Sequence, residues 1–198
     1  KTEIEQIIPV NSPALWSTQH PSLYTLNSYI LEGTKSIDNL PSTRGIREIK
    51  YDINKGFLLN GKQVKMIGVC LHHEAGCLGA AVPQQAWIRR LQLLKEMGCN
   101  AIRTAHNPPA PEFLDLCDKI GFLVMDEAFD EWEVPKIQGN VKYGYHLYFA
   151  ERSQSDLASI IYRDRNHPSV VLWSAGNEIV DADDARDQIG MAACGERV

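Results

Sequence analysis

The sequence predicts an α/β fold: about four βα units, the first half of an eight-fold barrel, preceded by strands of a β-sandwich. Three observations lead there. From Val64 onward short apolar runs recur roughly every 30 residues with helical patterns between them, the spacing of right-handed βαβ units. Before about residue 62 the pattern is instead apolar–polar alternation broken by turn residues, as in strands with one face buried. Finally, Val170-Val171-Leu172-Trp173 runs into Ser174-Ala175-Gly176-Asn177-Glu178, a buried strand that delivers an amide and a carboxylate at its C-terminal tip. That tip is where α/β barrels keep their chemistry.

Taken in order, Leu23 to Leu31 and Ile46 to Ile53 read as strands, with a loop at Asp38-Asn39-Leu40-Pro41-Ser42 between them. Phe57 to Lys62 reads as a hairpin turning on Asn60-Gly61. Too few strands are present for an independent sandwich, so residues 1–62 are assigned as the trailing strands of one. Residues 63–198 are assigned to the half barrel. Its strands are expected at Val64 to Val69, Asn100 to Arg103, Phe122 to Met125 and from Val170, each after the first preceded by a helical stretch. Gln84 to Met97 carries Trp87, Ile88, Leu91 and Leu94 at helical spacing and closes at Gly98. Pro111 opens and Gly121 ends the next helix. Tyr145 to Arg165 supplies a third apolar set, and His167-Pro168 marks the start of the last strand. The tail from Asp181 to Val198 is polar and reads as a helix cut short.

Hydrophobic residues make up 44% of the 198, enough for a core, and the net charge is −5 with no basic cluster longer than Arg89-Arg90. Nucleic-acid and membrane-surface partners are therefore not expected. Five cysteines without a CxxC pair give neither a disulfide framework nor a zinc knuckle. No apolar run approaches the roughly 20 residues that span a bilayer. Lys1-Thr2-Glu3-Ile4-Glu5 lacks signal-peptide order, and the compartment stays open between cytoplasm, periplasm and exterior.

All strands of a parallel sheet end on one side, so the expected tips bring together His72, His73 and Glu74, then Arg103, His106 and Asn107, then Asp126, Glu127, Asp130 and Glu131, and last Asn177 and Glu178. Glycoside hydrolysis uses two carboxyl groups flanking the scissile bond, with imidazole, amide and guanidinium groups around them. Metal-assisted hydrolysis fits less well, because adjacent His72 and His73 point apart. A Glu at such a tip is a candidate general acid if partly desolvated. The plainer alternatives are Asn177 capping a following helix, Arg103 as a buried ion-pair partner, and Asp126-Glu127 as a cap. His73 and His167 read as structural, Trp173 as core, and Trp132 and Tyr145 as stacking platforms for a sugar.

Four ordered motifs, Arg103-Thr104-Ala105-His106-Asn107-Pro108-Pro109, Val124-Met125-Asp126-Glu127-Ala128-Phe129, Arg163-Asp164-Arg165-Asn166-His167-Pro168-Ser169 and Trp173-Ser174-Ala175-Gly176-Asn177-Glu178, closely resemble those of glycoside hydrolase family 2. That family holds β-galactosidases, β-glucuronidases and β-mannosidases. Leu15-Trp16 and Gly45-Ile46-Arg47 resemble the end of its immunoglobulin-like domain. The resemblance implies a TIM (β/α)8 barrel, a carbohydrate substrate and a retaining mechanism, β-galactosidase-like, with Glu178 as acid/base and Asn177 bonding the sugar 2-hydroxyl. It also implies that His106, His72, Glu74 and Asn107 bind substrate while Arg103, Asp126 and Glu127 support them. The nucleophile would come from a seventh strand outside this chain, so the piece is expected to be inactive alone, or to bind sugar without cleaving it. Its open sheet edges are expected to favour self-association. Gly68-Val69-Cys70-Leu71-His72-His73-Glu74 departs from the family's Asn-Arg-His-Glu after Gly-Val. No cofactor is expected; some relatives bind Mg²⁺ after the third strand, where Glu131 and Glu133 stand here.

Overall fold

The computed structural model describes residues 4–136 and 142–179. The expected tail helix at 181–198 lies outside them. Among the described residues three sheets are present, ordered β1-β2, β3-β4-β5 and β6-β7-β8-β9.

β1 (Tyr24–Glu32) and β2 (Lys35–Arg44) form one long antiparallel hairpin, Tyr24 facing Arg44 and Glu32 facing Lys35. This corrects the loop expected over 38–42. Asp38, Asn39 and Pro41 look like loop residues, but a two-stranded ribbon has two edges, and Pro41 needs no amide donor on its open side. The register instead turns on Gly33-Thr34, where φ is +61° at Gly33. Ile30, Leu31, Ile37 and Leu40 of this hairpin are all exposed.

β3 (Ile49–Asp52), β4 (Gly56–Leu59) and β5 (Lys62–Gln63) form an antiparallel sheet, with Asn60-Gly61 as the predicted turn. β3 begins three residues later than expected, because Ile46 and Arg47 are used elsewhere. Ile46 O accepts from Trp16 N, and the Arg47 guanidinium donates to Pro168 O and Val170 O, each at 2.6 Å. Tyr51 adds a bond to Val171 O. These contacts fasten the small sheet to the entrance of β9, and Trp16, Phe57 and Leu59 pack there against Leu123 and Val171.

The parallel sheet comprises β6 (Gly68–Leu71), β7 (Ala101–Thr104), β8 (Leu123–Glu127) and β9 (Val170–Ser174), interleaved with α1 (Gln84–Glu96), α2 (Pro111–Ile120) and α3 (Phe149–Asp164). Neighbours pair in sequence order, as in one sector of a (β/α)8 barrel. The first strand lies four residues beyond its expected start. Asn100 explains this: its side chain accepts from Ile67 N and donates to Lys65 O, so an amide takes the place of a ladder over those residues. α2 has the predicted limits. Gly121 ends it at φ +85°, and a β-carbon there would be strained and would lie 2.6 Å from Thr18 O.

The helix-facing side of the sheet makes the largest core: Trp87, Leu91 and Leu94 of α1, Phe113, Leu114 and Cys117 of α2, and Ile102, Val124 and Val170 of the strands. A second cluster, Phe129, Trp132, Phe149, Leu157, Ile160 and Ile161, seats α3 and the loop after β8. The interior face is open by comparison; a cavity of about 240 Å³ there is lined by Met66, Cys70, Arg103, Met125 and Leu172.

Candidate active site

Alternation along β7, β8 and β9 puts Arg103, Glu127 and Ser174 on the interior face of neighbouring strands at the C-terminal edge. Glu127 is fully buried and is met by three side chains. Arg103 Nε and one terminal nitrogen donate to its two oxygens at 2.8 and 2.9 Å, Ser174 Oγ donates at 2.7 Å, and His106 Nδ1 lies 2.8 Å away. A buried carboxylate is tolerated only with such compensation. The same Arg103 nitrogen donates to Asn177 Oδ1 at 2.8 Å. Asn177 Nδ2 in turn faces Asp130 Oδ1 at 3.3 Å, and Asn177 N bonds Phe129 O. The amide of Asn177 is therefore held on the rim by Arg103 and Asp130. Arg103 is a buried-side ion-pair partner and also the group that holds Asn177.

His106, joined to Ala105 by a cis peptide bond, meets the ring of His72 edge to face at 5.0 Å. His72 is exposed above it. Arg103, His106, His72, Glu127 and Asn177 thus converge as expected. Glu74 does not join them: its carboxylate accepts from Gly76 N within its own loop. Asn107 is exposed and lines a neighbouring hollow of about 700 Å³ with Asp130, Glu131, Lys136, Tyr145 and Arg163.

Asp126, expected to support the rim, does not itself face it beside Glu127. Alternation turns it to the helix-facing side, where it is 1% exposed, next to Thr104 and Asp164. Burial first, and then the Asp164 carboxylate, push its pKa up to about 8, while Arg163 and Thr104 pull the other way.

Glu178 stands beyond the end of β9 with φ +51°, a left-handed conformation uncommon outside glycine. Its side chain is 84% exposed, and Lys136 Nζ lies 3.7 Å from its carboxylate and 3.1 Å from Asp130. The desolvation anticipated for this carboxyl is not supplied by the described residues. Lys136 itself escaped the sequence reading, since it lies in an aperiodic loop. Ser174 escaped too, although its register opposite Glu127 follows from alternation once β8 and β9 are aligned.

Of the two aromatic platforms, Trp132 is corrected, while Tyr145 lines the hollow beside Asn107. Trp132 is 5% exposed, stacks on Phe149 and donates to Ala175 O; Tyr145 stacks on Phe129 and donates to Asp156. Trp132 is core. Among the structural histidines, His73 packs on Trp87, and His167 Nδ1 is 2.6 Å from Asp118.

Among the described residues, Glu131, one of the two carboxylates that the resemblance offers for Mg²⁺, is already committed. Glu131 Oε1 is bonded to His146 and Oε2 accepts from Lys136 N, while Lys136 Nζ provides a cation between Asp130 and Glu178. A hard dication needs carboxylate oxygens that are not already committed. Asp115, Asp118 and His167 also cluster, but Asp118 is engaged by His167 and by Ser169 N.

A rim of carboxylate, amide, imidazole and guanidinium groups along the C-terminal edge of parallel βα units is the setting in which α/β-barrel glycosidases work. Residues 51–193 match the profile of the glycosyl hydrolases family 2 TIM barrel domain, and residues 1–47 match a second glycosyl hydrolases family 2 profile. The chain belongs to glycoside hydrolase family 2. It is 52% identical over 176 residues to a β-galactosidase of Bacteroides ovatus, covering 89% of this chain and 20% of the relative. It is 46% identical to a putative β-glucuronidase of Formosa agariphila, covering 86% and 16%. Among solved structures, a β-glycosidase from Bacteroides vulgatus aligns with a TM-score of 0.85 at 43% identity, over 90% of this chain and 23% of that one. The chain thus spans about a fifth of the curated relatives it matches.

Proposed function

We propose that these residues form the acid/base half of a retaining, β-galactosidase-like exo-glycosidase. The observation that carries this reading is the chain of contacts Glu127–Arg103–Asn177, which fixes the amide one residue before Glu178 on the rim. In this reading Glu178 protonates the glycosidic oxygen and later removes a proton from the attacking water, while Asn177 bonds the sugar 2-hydroxyl through its amide. His106 and His72 form the wall that meets the remaining hydroxyls, with Asn107 at its margin. Glu74, turned into its own loop, is assigned no contact. Lys136 holds Glu178 toward Asp130 until a substrate displaces it.

The galactoside preference is supported by the 52% identity to the Bacteroides ovatus β-galactosidase. A retaining mechanism also needs a nucleophilic carboxylate about 5 Å from the acid/base. We assign that group to the remainder of the barrel, so the 198 residues by themselves are expected to show no turnover.

The test is hydrolysis of a panel of aryl β-glycosides by the longer polypeptide that carries this sequence. The reading expects the galactoside to lead the panel and Glu178→Gln to lower turnover by about 10²–10⁴-fold, the contribution of a positioned general acid/base. Binding of sugar without cleavage by the longer polypeptide would replace it with a carbohydrate-binding role. Turnover by the 198 residues alone would contradict the assignment of the nucleophile.

A further inference from the structure

On the helix-facing side of the sheet two carboxyl groups meet in the core. Asp126 of β8 is 1% exposed and Asp164, the last residue of α3, is 0% exposed. Asp164 is engaged by Arg163, whose Nε and a terminal nitrogen donate to its two oxygens at 2.7 and 2.6 Å. The same guanidinium also donates to Pro109 O, ahead of α2. Asp126 has no such partner. Thr104 Oγ1 stands 3.5 Å from Oδ1, and Oδ2 is buried with no hydrogen-bond partner among the described residues. Yet this carboxyl interacts directly with that of Asp164. Two ionised carboxylates offer acceptors only, so the contact lacks a donor, and one proton supplies it.

We propose that Asp126 and Asp164 hold one proton between them, so that Asp126 is a neutral donor tying β8 to the end of α3. Through the next residue in the strand, Glu127, this tie makes Asp126 a positioning residue for the rim on the opposite face.

The surrounding charges agree with a single retained proton. From α3 the positive charge that reaches Asp126 is Arg163, and it is already committed to Asp164. α2 contributes Glu112, which acts on Arg163, and Asp118, which is paired with His167. β7 offers Thr104, whose hydroxyl donates weakly to Oδ1 and accepts from Glu127 N at 2.9 Å. β9 places uncharged Trp173 opposite Asp126 in register. Thr104 therefore touches the Asp126 carboxyl on one side and the backbone N–H of Glu127 on the other, giving a physical route from the proton to the strand position that carries Glu127. None of this depends on which sugar the rim accepts.

The sign of the linkage is fixed. The unfolded carboxyl has the ordinary value of 3.8 and the folded one about 8. Between these values the folded state holds more protons, so the contribution to stability declines as pH rises from about 4 to about 8 and is flat above.

The experiment uses the full 198-residue chain labelled with ¹³C at aspartate carboxyls, titrated from pH 4 to 10, with the His106 ring resonances followed in parallel. One carboxyl carbon is expected to titrate near pH 8 and to vanish in Asp126→Asn, whose amide keeps a neutral donor toward Asp164. The His106 resonances should move with the same midpoint in the wild type and lose that step in Asp126→Asn. The urea midpoint should fall from pH 4 to 8 less in Asp126→Asn than in the wild type, while Asp126→Ala, lacking the donor, should be the least stable of the three. Aspartates that all titrate below about pH 5, a pH 8 carboxyl that persists in Asp126→Asn, or His106 signals indifferent to the step would each overturn the proposal.

Discussion

Asp126 and Glu127 are consecutive in β8, and both are buried, yet they live in opposite surroundings. Glu127 faces the interior of the incipient barrel and is met by a guanidinium, a hydroxyl and an imidazole. Asp126 faces the helices and meets a second carboxyl. Two acids that look interchangeable in sequence are separated by the pleat alone, which sends one to the face that does chemistry and the other to the face that holds the fold together. On the interior face a buried carboxylate has its acceptors filled by partners drawn from neighbouring strands. On the helix-facing face, where the core is apolar, the same kind of group is stabilised by retaining its proton.

The contrast can be broken first at Arg103. Arg103→Ala would leave Glu127 buried without its main partner, and urea unfolding should show a loss of about 3–5 kcal/mol, the usual consequence of stranding one member of a buried ion pair. A loss below about 1 kcal/mol would mean that Ser174 and His106 suffice. The helix-facing side should respond by a different mechanism. Leu114, 0% exposed between α1, α2 and the sheet, should cost about 2–5 kcal/mol on truncation to Ala through the cavity it leaves.

A smaller effect is expected at the foot of the helix layer, where Asp118 accepts from Ser169 N and His167. Asp118→Ala should lower stability by about 1–3 kcal/mol by stranding buried donors. Its cost should also depend on pH. Burial disfavours the His167 imidazolium, but the Asp118 hydrogen bond and charge outweigh it and raise the pKa above 6.5. The contribution is complete below 6.5 and disappears as pH rises through the folded value, so the gap between wild type and Asp118→Ala should be wider at pH 6 than at pH 9. Least affected should be the β1–β2 hairpin: Leu31→Ala, at a position 59% exposed, should change stability by less than about 0.5 kcal/mol.

Much of the fold was legible because its signals are local. Pro111 and Gly121 bracket α2, Asn60-Gly61 makes its turn, and Val170 opens its strand, each by chemistry contained within a few residues. The displaced strands mark where local signals lose to distant ones. β6 starts late because the side chain of Asn100 bonds the backbone at 65–67, and β3 starts late because Arg47 reaches across to β9. Pro41 misled in the opposite direction, as its loop character is compatible with a two-stranded ribbon. At the rim, the alignment of strand tips brought Arg103, His106, Glu127 and Asn177 to one place. It could not show that Asp126 faces away, that Glu74 turns into its own loop, or that Trp132 is buried, since those depend on the pleat and on loop packing. Lys136 carried no signal at all in the sequence, because an isolated lysine after a proline in a loop is ordinary.

The proposed chemistry turns on Glu178 acting as the acid/base of a retaining glycosidase. It is tested most directly in the longer polypeptide bearing Glu178→Ala, given an aryl β-galactoside with a good leaving group and sodium azide. Accumulation of the β-galactosyl azide, with turnover restored in proportion to azide, is the predicted result, since a small nucleophile that needs no base can open the glycosyl-enzyme. Wild-type turnover in Glu178→Ala without azide, or an α-configured azide product, would contradict it.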